Sequence, residues 1–271
     1  MIHPDQHEEK PAVETVQTAT DKEHLVGHAD VVSDPALADQ VGTDWTDEGG
    51  ATPDGPATTS HQTQQVPDVV TTQLSAVMIN CTLKPAGEPS SGDVLGEQVI
   101  EQLRGLGTTA FTIRAVDFNI APGVETDMGA GDDWPDIRQK IHAADIMVLV
   151  TPTWLGQHSS VAQRVLERLN AESSETGANG LPVLFGKVAI PVVVGNEDGA
   201  HHICAVLTQS LTDVGFSIAA QPSVYWNGEA MKKTDYRELE YTPDAVAQAV
   251  QTAAKNSAHL ARLLRSTPYP F

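Results

Sequence analysis

The stretch Asp145-Ile-Met-Val-Leu-Val150, running on into Thr151-Pro-Thr-Trp-Leu-Gly-Gln157, decides the fold. An unbroken apolar run of strand length, without polar alternation, is the pattern of a strand covered on both faces of a parallel sheet. Pro152 fixes the chain as it leaves that strand, Gly156 relieves crowding, and Trp154 offers a large face at the sheet edge.

Working outward, the same rhythm recurs on both sides. Ala76-Val-Met-Ile-Asn80 reads as a first buried strand. A helix follows from Gly92 to Leu103, with Val94, Leu95, Val99 and Leu103 at helical spacing, stopped by Gly105 and Gly107. Ala110 to Val116 alternates like a strand, and Asp133 to Ala143 opens with an acidic residue near a proline, as a helix does. Beyond the quoted stretch, Ser159 or Ser160 can cap a helix carrying Val161, Val165, Leu166 and Leu169. Lys187 to Val194 reads as a fourth strand whose internal Pro191 predicts a bulge or irregular pairing. A helix over 200–214, a last strand near Ser217 to Trp226 and a long helix over Pro243 to Leu264 complete the alternation. The expectation is an open α/β three-layer fold, a five-stranded parallel sheet of order 2-1-3-4-5 with helices on both faces. Ligands in such sheets bind at the carboxyl ends of the strands beside the switch point, here between strands 1 and 3.

The chain has 271 residues and a formal net charge of −20. That charge argues against a general binder of nucleic acid or anionic membrane, whose phosphates it would repel. The acid is unevenly spread. Residues 1–72 hold two lysines against fourteen acidic residues and one aromatic, Trp45, with Leu, Ile, Val and Phe making up 12 of the 72. Too little apolar surface is present there to bury a core, so 1–72 reads as a disordered acidic tail and 73–271 as the folded domain. A short transient helix is compatible with Ser33 to Val41, and Asp47 to Pro56 has linker composition. No apolar run approaches the length of a membrane span or an export signal, which predicts a cytoplasmic protein without a membrane partner. Cys81 and Cys204 form neither a disulfide framework nor a zinc pattern.

Three loops lie at the expected ligand edge. The first, Asn80-Cys-Thr-Leu-Lys-Pro-Ala-Gly-Glu-Pro-Ser-Ser-Gly-Asp93, leads hydroxyls and one lysine into a helix start. It reads either as an anion site or as an ordinary Pro/Ser loop with a serine cap. It matches neither Gly-x-x-x-x-Gly-Lys-Ser/Thr nor Gly-x-Gly-x-x-Gly. The second, Thr151 to Ser160, is either a seat for a planar heterocycle beside Trp154 or a core tryptophan followed by a helix cap. The third, Gly195-Asn-Glu-Asp-Gly-Ala-His-His202, allows close backbone approach at Gly195 and Gly199. Adjacent histidines on a helix point about 100° apart, so His201 and His202 are read as hydrogen-bonding or capping residues and no metal site is expected.

In these loops the chain resembles the flavodoxin-like superfamily, and within it the NAD(P)H-dependent FMN reductase family. Thr151-Pro-Thr-Trp-Leu-Gly-Gln157 is similar to that family's Thr-Pro-x-Tyr/Trp-x-Gly segment, and Val194 to His202 to its Gly-rich third flavin loop. The resemblance covers about Leu74 to the carboxyl terminus. It implies a flavodoxin-like domain that binds FMN, with Thr82, Lys84, Ser90 and Ser91 as matching candidates for the phosphate. The isoalloxazine ring is expected against Pro152, Thr153, Trp154, Leu155 and Gly156, and against Gly195, Asn196, Glu197, Asp198 and Gly199. The first loop departs from the family's Gly-Ser-x-Arg-x-x-Ser form, and Lys84 stands where its charge can replace the arginine.

The activity so implied is transfer of a hydride from NADPH or NADH through bound FMN to a small-molecule acceptor such as a quinone, a flavin or a similar electrophile. The flavin carries the hydride, so no catalytic side chain is expected. The alternative is a flavodoxin-type electron carrier that docks on a redox partner without pyridine-nucleotide turnover. Family members commonly dimerise so that the neighbouring subunit covers the flavin, which makes a homodimer the implied assembly. Tyr225 to Tyr236 is a candidate cover, and equally a solvated loop.

Overall fold

The structure, a computed structural model, describes residues 73–228 and 232–270, which belong to one compact unit. The acidic segment 1–72, with its expected short helix and linker, lies outside the described residues, as do 229–231 of the expected cover. The elements run β1 (Leu74–Asn80), α1 (Ser91–Gly105), β2 (Thr108–Arg114), α2 (Trp134–Ala143), β3 (Ile146–Trp154), β4 (Gln157–His158), α3 (Ser160–Leu169), β5 (Val188–Val194), α4 (Ala200–Asp213), β6 (Val224–Trp226) and α5 (Asp244–Ser266).

The sheet order is β2-β1-β3-β5-β6, all parallel, which is the expected order 2-1-3-4-5. The strand count is six rather than five. The extra strand, β4, folds back antiparallel on the end of β3, pairing Trp154 with Gln157 and Thr153 with His158. Leu155 and Gly156, at φ 51° and 71°, make the two-residue turn, the positive φ at both positions being that of the mirror-image turns that match strand twist. β3 therefore continues to Trp154, four residues past the end of its apolar run.

Side chains alternate across the sheet with the strand period of two. Leu74, Ala76 and Met78 of β1 pack with Leu95, Val99 and Leu103 of α1 and with the small-residue face of α5 at Ala253, Ala254, Ala258 and Ala261. Val77 and Ile79 face the other way, toward Ile137 and Ile141 of α2, Val165 and Leu169 of α3, and Leu207 and Leu211 of α4. Among the described residues no helix is long and apolar enough to cross a membrane.

Pro191 causes no bulge. β5 pairs regularly with β3, Leu149 opposite Pro191. The N–H groups of Ala189 and Gly195 point to the β6 side, donating to the carbonyls of Ser217 and Trp226. By the same alternation Pro191 would donate to that side as well, into the gap between Ser217 and the start of β6 at Val224. The donor that proline lacks has no acceptor there to disappoint.

A buried ion pair secures the excursion between β2 and α2. Arg168 on α3 is fully buried and meets Asp132 at 2.7 Å. The same guanidinium donates to the carbonyls of Ala121 and Glu125 and lies 5.6 Å from the Trp134 ring. Asp132 accepts in turn from the N–H groups of Ala121, Met128 and Trp134. Burial pushes the Asp132 carboxyl up, but these donors, Arg168 foremost, outweigh it and hold its pKa at about 2.

Candidate functional site

The carboxyl ends of β1 and β3 open on a crevice with an enclosed volume of about 130 Å³. Three chain segments meet in it as expected, and a fourth joins them. The first loop contributes Thr82, Lys84, Ser90 and Ser91, the end of β3 contributes Pro152, Thr153 and Trp154, and the loop after β5 contributes Gly195 and Asn196. Leu83, Gly92, Val194, Trp226, Asp235 and Tyr236 also line it; none of the six is among the named ligand candidates, though the last three fall in the segment Tyr225 to Tyr236 offered as a cover. Trp226 and Tyr236 meet in a tilted contact, ring centroids 5.3 Å apart, and the Tyr236 hydroxyl donates to Gln98 on α1 at 2.7 Å, so the segment around 236 closes one wall.

At the crevice floor, α1 begins. Ser90 caps it in β conformation, its hydroxyl accepting from the N–H of Asp93, while the Asp93 carboxylate accepts back from the N–H of Ser90. That box leaves the N–H groups of Ser91 and Gly92, the first two of the helix, directed at the crevice with the positive end of the helix dipole behind them. Lys84 stands beside them, its ammonium resting on the carbonyl of Pro89 at 3.2 Å.

The loop after β3 is tied to the end of β1, because the Ser159 hydroxyl donates to the Cys81 carbonyl at 2.7 Å. Thr153 is 4% exposed, lines the crevice, and its hydroxyl has no partner within the protein. A buried hydroxyl without a partner costs free energy, so its presence at this wall marks a position that a polar ligand atom would complete. Opposite it, a side chain at Gly195 would bring Cβ to 2.8 Å of Thr153 Cβ, so glycine keeps the wall open.

Leu155, Gly156, Glu197, Asp198 and Gly199 do not line the crevice and form instead a clasp between the second and third loops. The Leu155 N–H donates to the Glu197 carboxylate at 2.7 Å. Gly199, at φ 117°, faces Gly156 so closely that a Cβ there would lie 2.7 Å from the Gly156 Cα. Leu155 is 91% exposed despite its positive φ, a conformation that costs a non-glycine residue about 1 kcal/mol or more.

The remaining reactive groups are committed elsewhere. His201 pairs with the Tyr225 hydroxyl at 2.7 Å and His202 with Gln157 at 3.3 Å. Burial pushes the thiols of Cys81 and Cys204 up, away from the thiolate form. A larger, shallow depression of about 560 Å³ runs along α4 from His201 to Thr212. It holds none of the unpartnered buried polar atoms found among the described residues, so the smaller crevice is the better ligand site.

Comparison with known proteins gives the family. Residues 75–230 match the sequence model of the NADPH-dependent FMN reductase family. The chain is 31% identical over 208 residues to the 8-demethyl-8-aminoriboflavin-5'-phosphate synthase of Streptomyces davaonensis, covering 72% of this chain and 80% of that one. It is 40% identical over 161 residues to the divalent metal cation transporter MntH of Mycobacterium bovis, 58% of this chain but only 24% of that relative's length. Among solved structures, RosB with bound 8-demethyl-8-formylriboflavin-5'-phosphate superposes with a TM-score of 0.66 at 29% identity, covering 72% of this chain and 82% of that one. An apo NADH:FMN oxidoreductase shares the fold at a TM-score of 0.51 and 18% identity, covering 72% and 92%.

Proposed function

The chain belongs to the NADPH-dependent FMN reductase family, and from that premise we propose that it binds FMN in the crevice between β1 and β3 and passes a hydride from NADPH or NADH to a small acceptor, a quinone, a flavin or a similar electrophile. The flavin-binding unit in this reading is residues 73–271. The observation that carries it is the meeting, in one crevice, of the α1 start and the unpartnered hydroxyl of Thr153.

Bound FMN supplies the two-electron chemistry. The chain's own residues hold and orient it. The N–H groups of Ser91 and Gly92, with Lys84 and the Thr82 hydroxyl, take the phosphate. Thr153 bonds a polar atom of the flavin, and Gly195 and Asn196 bring main-chain groups against the ring. The crevice volume of about 130 Å³ is below the roughly 300 Å³ of a typical small-molecule cleft, and Pro152 and Trp154 at its edge are the residues that would hold the part of a bound ring left outside it. That mouth, where Leu155 projects, is the face a second copy of the chain closes.

The test is anaerobic addition of NADPH, then NADH, to the purified full chain. The yellow flavin band should bleach with one or both. A protein that remains colourless in the presence of FMN overturns the reading, and a bound flavin that dithionite reduces but neither nucleotide does turns it into an electron carrier. A second reading follows from the overlap with the Streptomyces synthase: riboflavin 5'-phosphate as substrate, altered on its ring. The mass of the flavin released after turnover separates the two, since a reductase returns it unchanged.

Thr153→Val keeps the shape of the wall and removes the unpartnered hydroxyl. The flavin-free protein should melt at the same temperature or higher, while the FMN dissociation constant, read by quenching of flavin fluorescence, rises about tenfold for one lost hydrogen bond. Unchanged FMN affinity would remove Thr153 from the site.

A further inference from the structure

Arg114 is the last residue of β2 and does not line the crevice, yet its guanidinium is bonded to the first loop at several points. One terminal nitrogen of its guanidinium faces three loop carbonyls, those of Lys84 at 3.1 Å, Pro85, and Glu88 at 2.9 Å. The other bonds the Asp93 carboxylate, in an ion pair whose side chains are 15% and 33% exposed. A second tether leaves the same segment, the Asp117 carboxylate accepting from the N–H of Ala86 at 2.8 Å.

Asp93 connects this arginine to the crevice floor. Its carboxylate also accepts from Asn80 at 2.6 Å and from the N–H and hydroxyl of Ser90. Asn80 in turn accepts from the N–H of Thr82 at 3.0 Å. A chain of polar contacts therefore runs from β2 through Asp93 and Asn80 to Thr82, and the same guanidinium holds the Lys84 carbonyl. The carboxylate of Asp93 itself sits in the first turn of α1, where the helix dipole favours it but where, uncompensated, it would repel a phosphate at the same helix start.

We propose that Arg114 is a positioning residue for the phosphate of the bound flavin: it holds the loop 84–88 in place through its carbonyls and cancels the charge of Asp93, so that the N–H groups of Ser91 and Gly92 meet an anion without an opposing carboxylate. This rests on the FMN-binding reading above. A planar fork is needed to reach carbonyls and carboxylate together, which an ammonium cannot do.

The discriminating probe is a pair of ligands, FMN and riboflavin, which differ only in the phosphate. In the full chain, Arg114→Gln should raise the FMN dissociation constant about ten- to hundredfold, the factor expected for loss of a hydrogen-bonded charge, while riboflavin binding and the melting temperature change little. Arg114→Lys, which keeps the charge without the fork, should fall between. Adding Asp93→Asn to Arg114→Gln should recover part of the FMN affinity, since it removes the carboxylate left without its counter-charge. Equal weakening of FMN and riboflavin, or a melting temperature that falls together with both, would make Arg114 a residue of the fold and overturn the proposal, as would unchanged FMN binding. Failure of the unsubstituted chain to bind FMN is a different result, because it refutes the FMN reading itself.

Discussion

Arg168→Met should destabilise the fold by about 3–5 kcal/mol, the range measured when one member of a buried ion pair is removed. The guanidinium is fully buried, and its loss strands both the Asp132 carboxylate, 1% exposed, and the carbonyls of Ala121 and Glu125. Methionine fills much of the volume, so the effect reports the stranded polar groups rather than a cavity. Urea unfolding followed by circular dichroism measures it as a lower midpoint. The pH dependence has a definite sign. The Asp132 carboxyl titrates at about 2 in the folded chain, below the 3.9 or so of an unfolded aspartate. Its contribution is therefore complete above about pH 4 and disappears as the pH falls through about 2, so the gap between the parent and Arg168→Met should narrow over that interval, leaving the part due to the carbonyls. A loss under about 1 kcal/mol at neutral pH would mean that the pair is solvated and worth no more than a surface bridge.

Gly199→Val should cost the protein its flavin. Two effects add at that position: φ of 117° is unfavourable for any side chain, and the new Cβ would press on the Gly156 backbone at 2.7 Å from Cα and 2.8 Å from the carbonyl oxygen. Backbone cannot swing aside as a side chain can, so the second and third loops must separate, and Trp154 and Gly195 move with them. FMN affinity should fall on the order of a hundredfold or more, the factor for about 3 kcal/mol of strain released only by opening the site. Gly180→Ala is the control. It has φ of 77° and open space around its Cβ position, so it bears conformational strain alone, away from the crevice. A Gly199 variant purified with its normal complement of flavin would show that the clasp does not shape the site.

The central strands β1, β3 and β5 were legible because each is an apolar run that no helix-length pattern competes with, Ile146 to Val150 most plainly, and β2 by its alternation. So was the ligand edge, since the switch point follows from strand order. What escaped depends on contacts between distant segments. Nothing in Thr-Trp-Leu-Gly announces a hairpin, because a leucine at positive φ contradicts its own preference and is held there by the turn, by pairing of β4 and by Glu197. Arg168 carries no mark in the sequence, and only the return of the loop at Asp132 makes it a core residue. Asp235 and Tyr236 reach the crevice after the chain has left the sheet at Trp226, so the sequence offers the segment 225–236 as a cover or a solvated loop without deciding between them. Pro191 was misread for the reverse reason: its cost depends on which neighbour its nitrogen faces, which sequence does not record.

That proline also bears on how the sheet avoids growing. β6 has three residues and pairs only with Val192, Val193 and Val194, so it is the first strand to fray when the protein breathes. The edge it bares is β5, Val-Ala-Ile-Pro-Val-Val-Val, as sticky a segment as the chain contains. A strand arriving from another molecule would find no N–H at the centre of that edge, because Pro191 has none to offer on the side that β6 vacates. The residue that is silent in the native ladder thus acts as a gatekeeper against aggregation in the partly opened one.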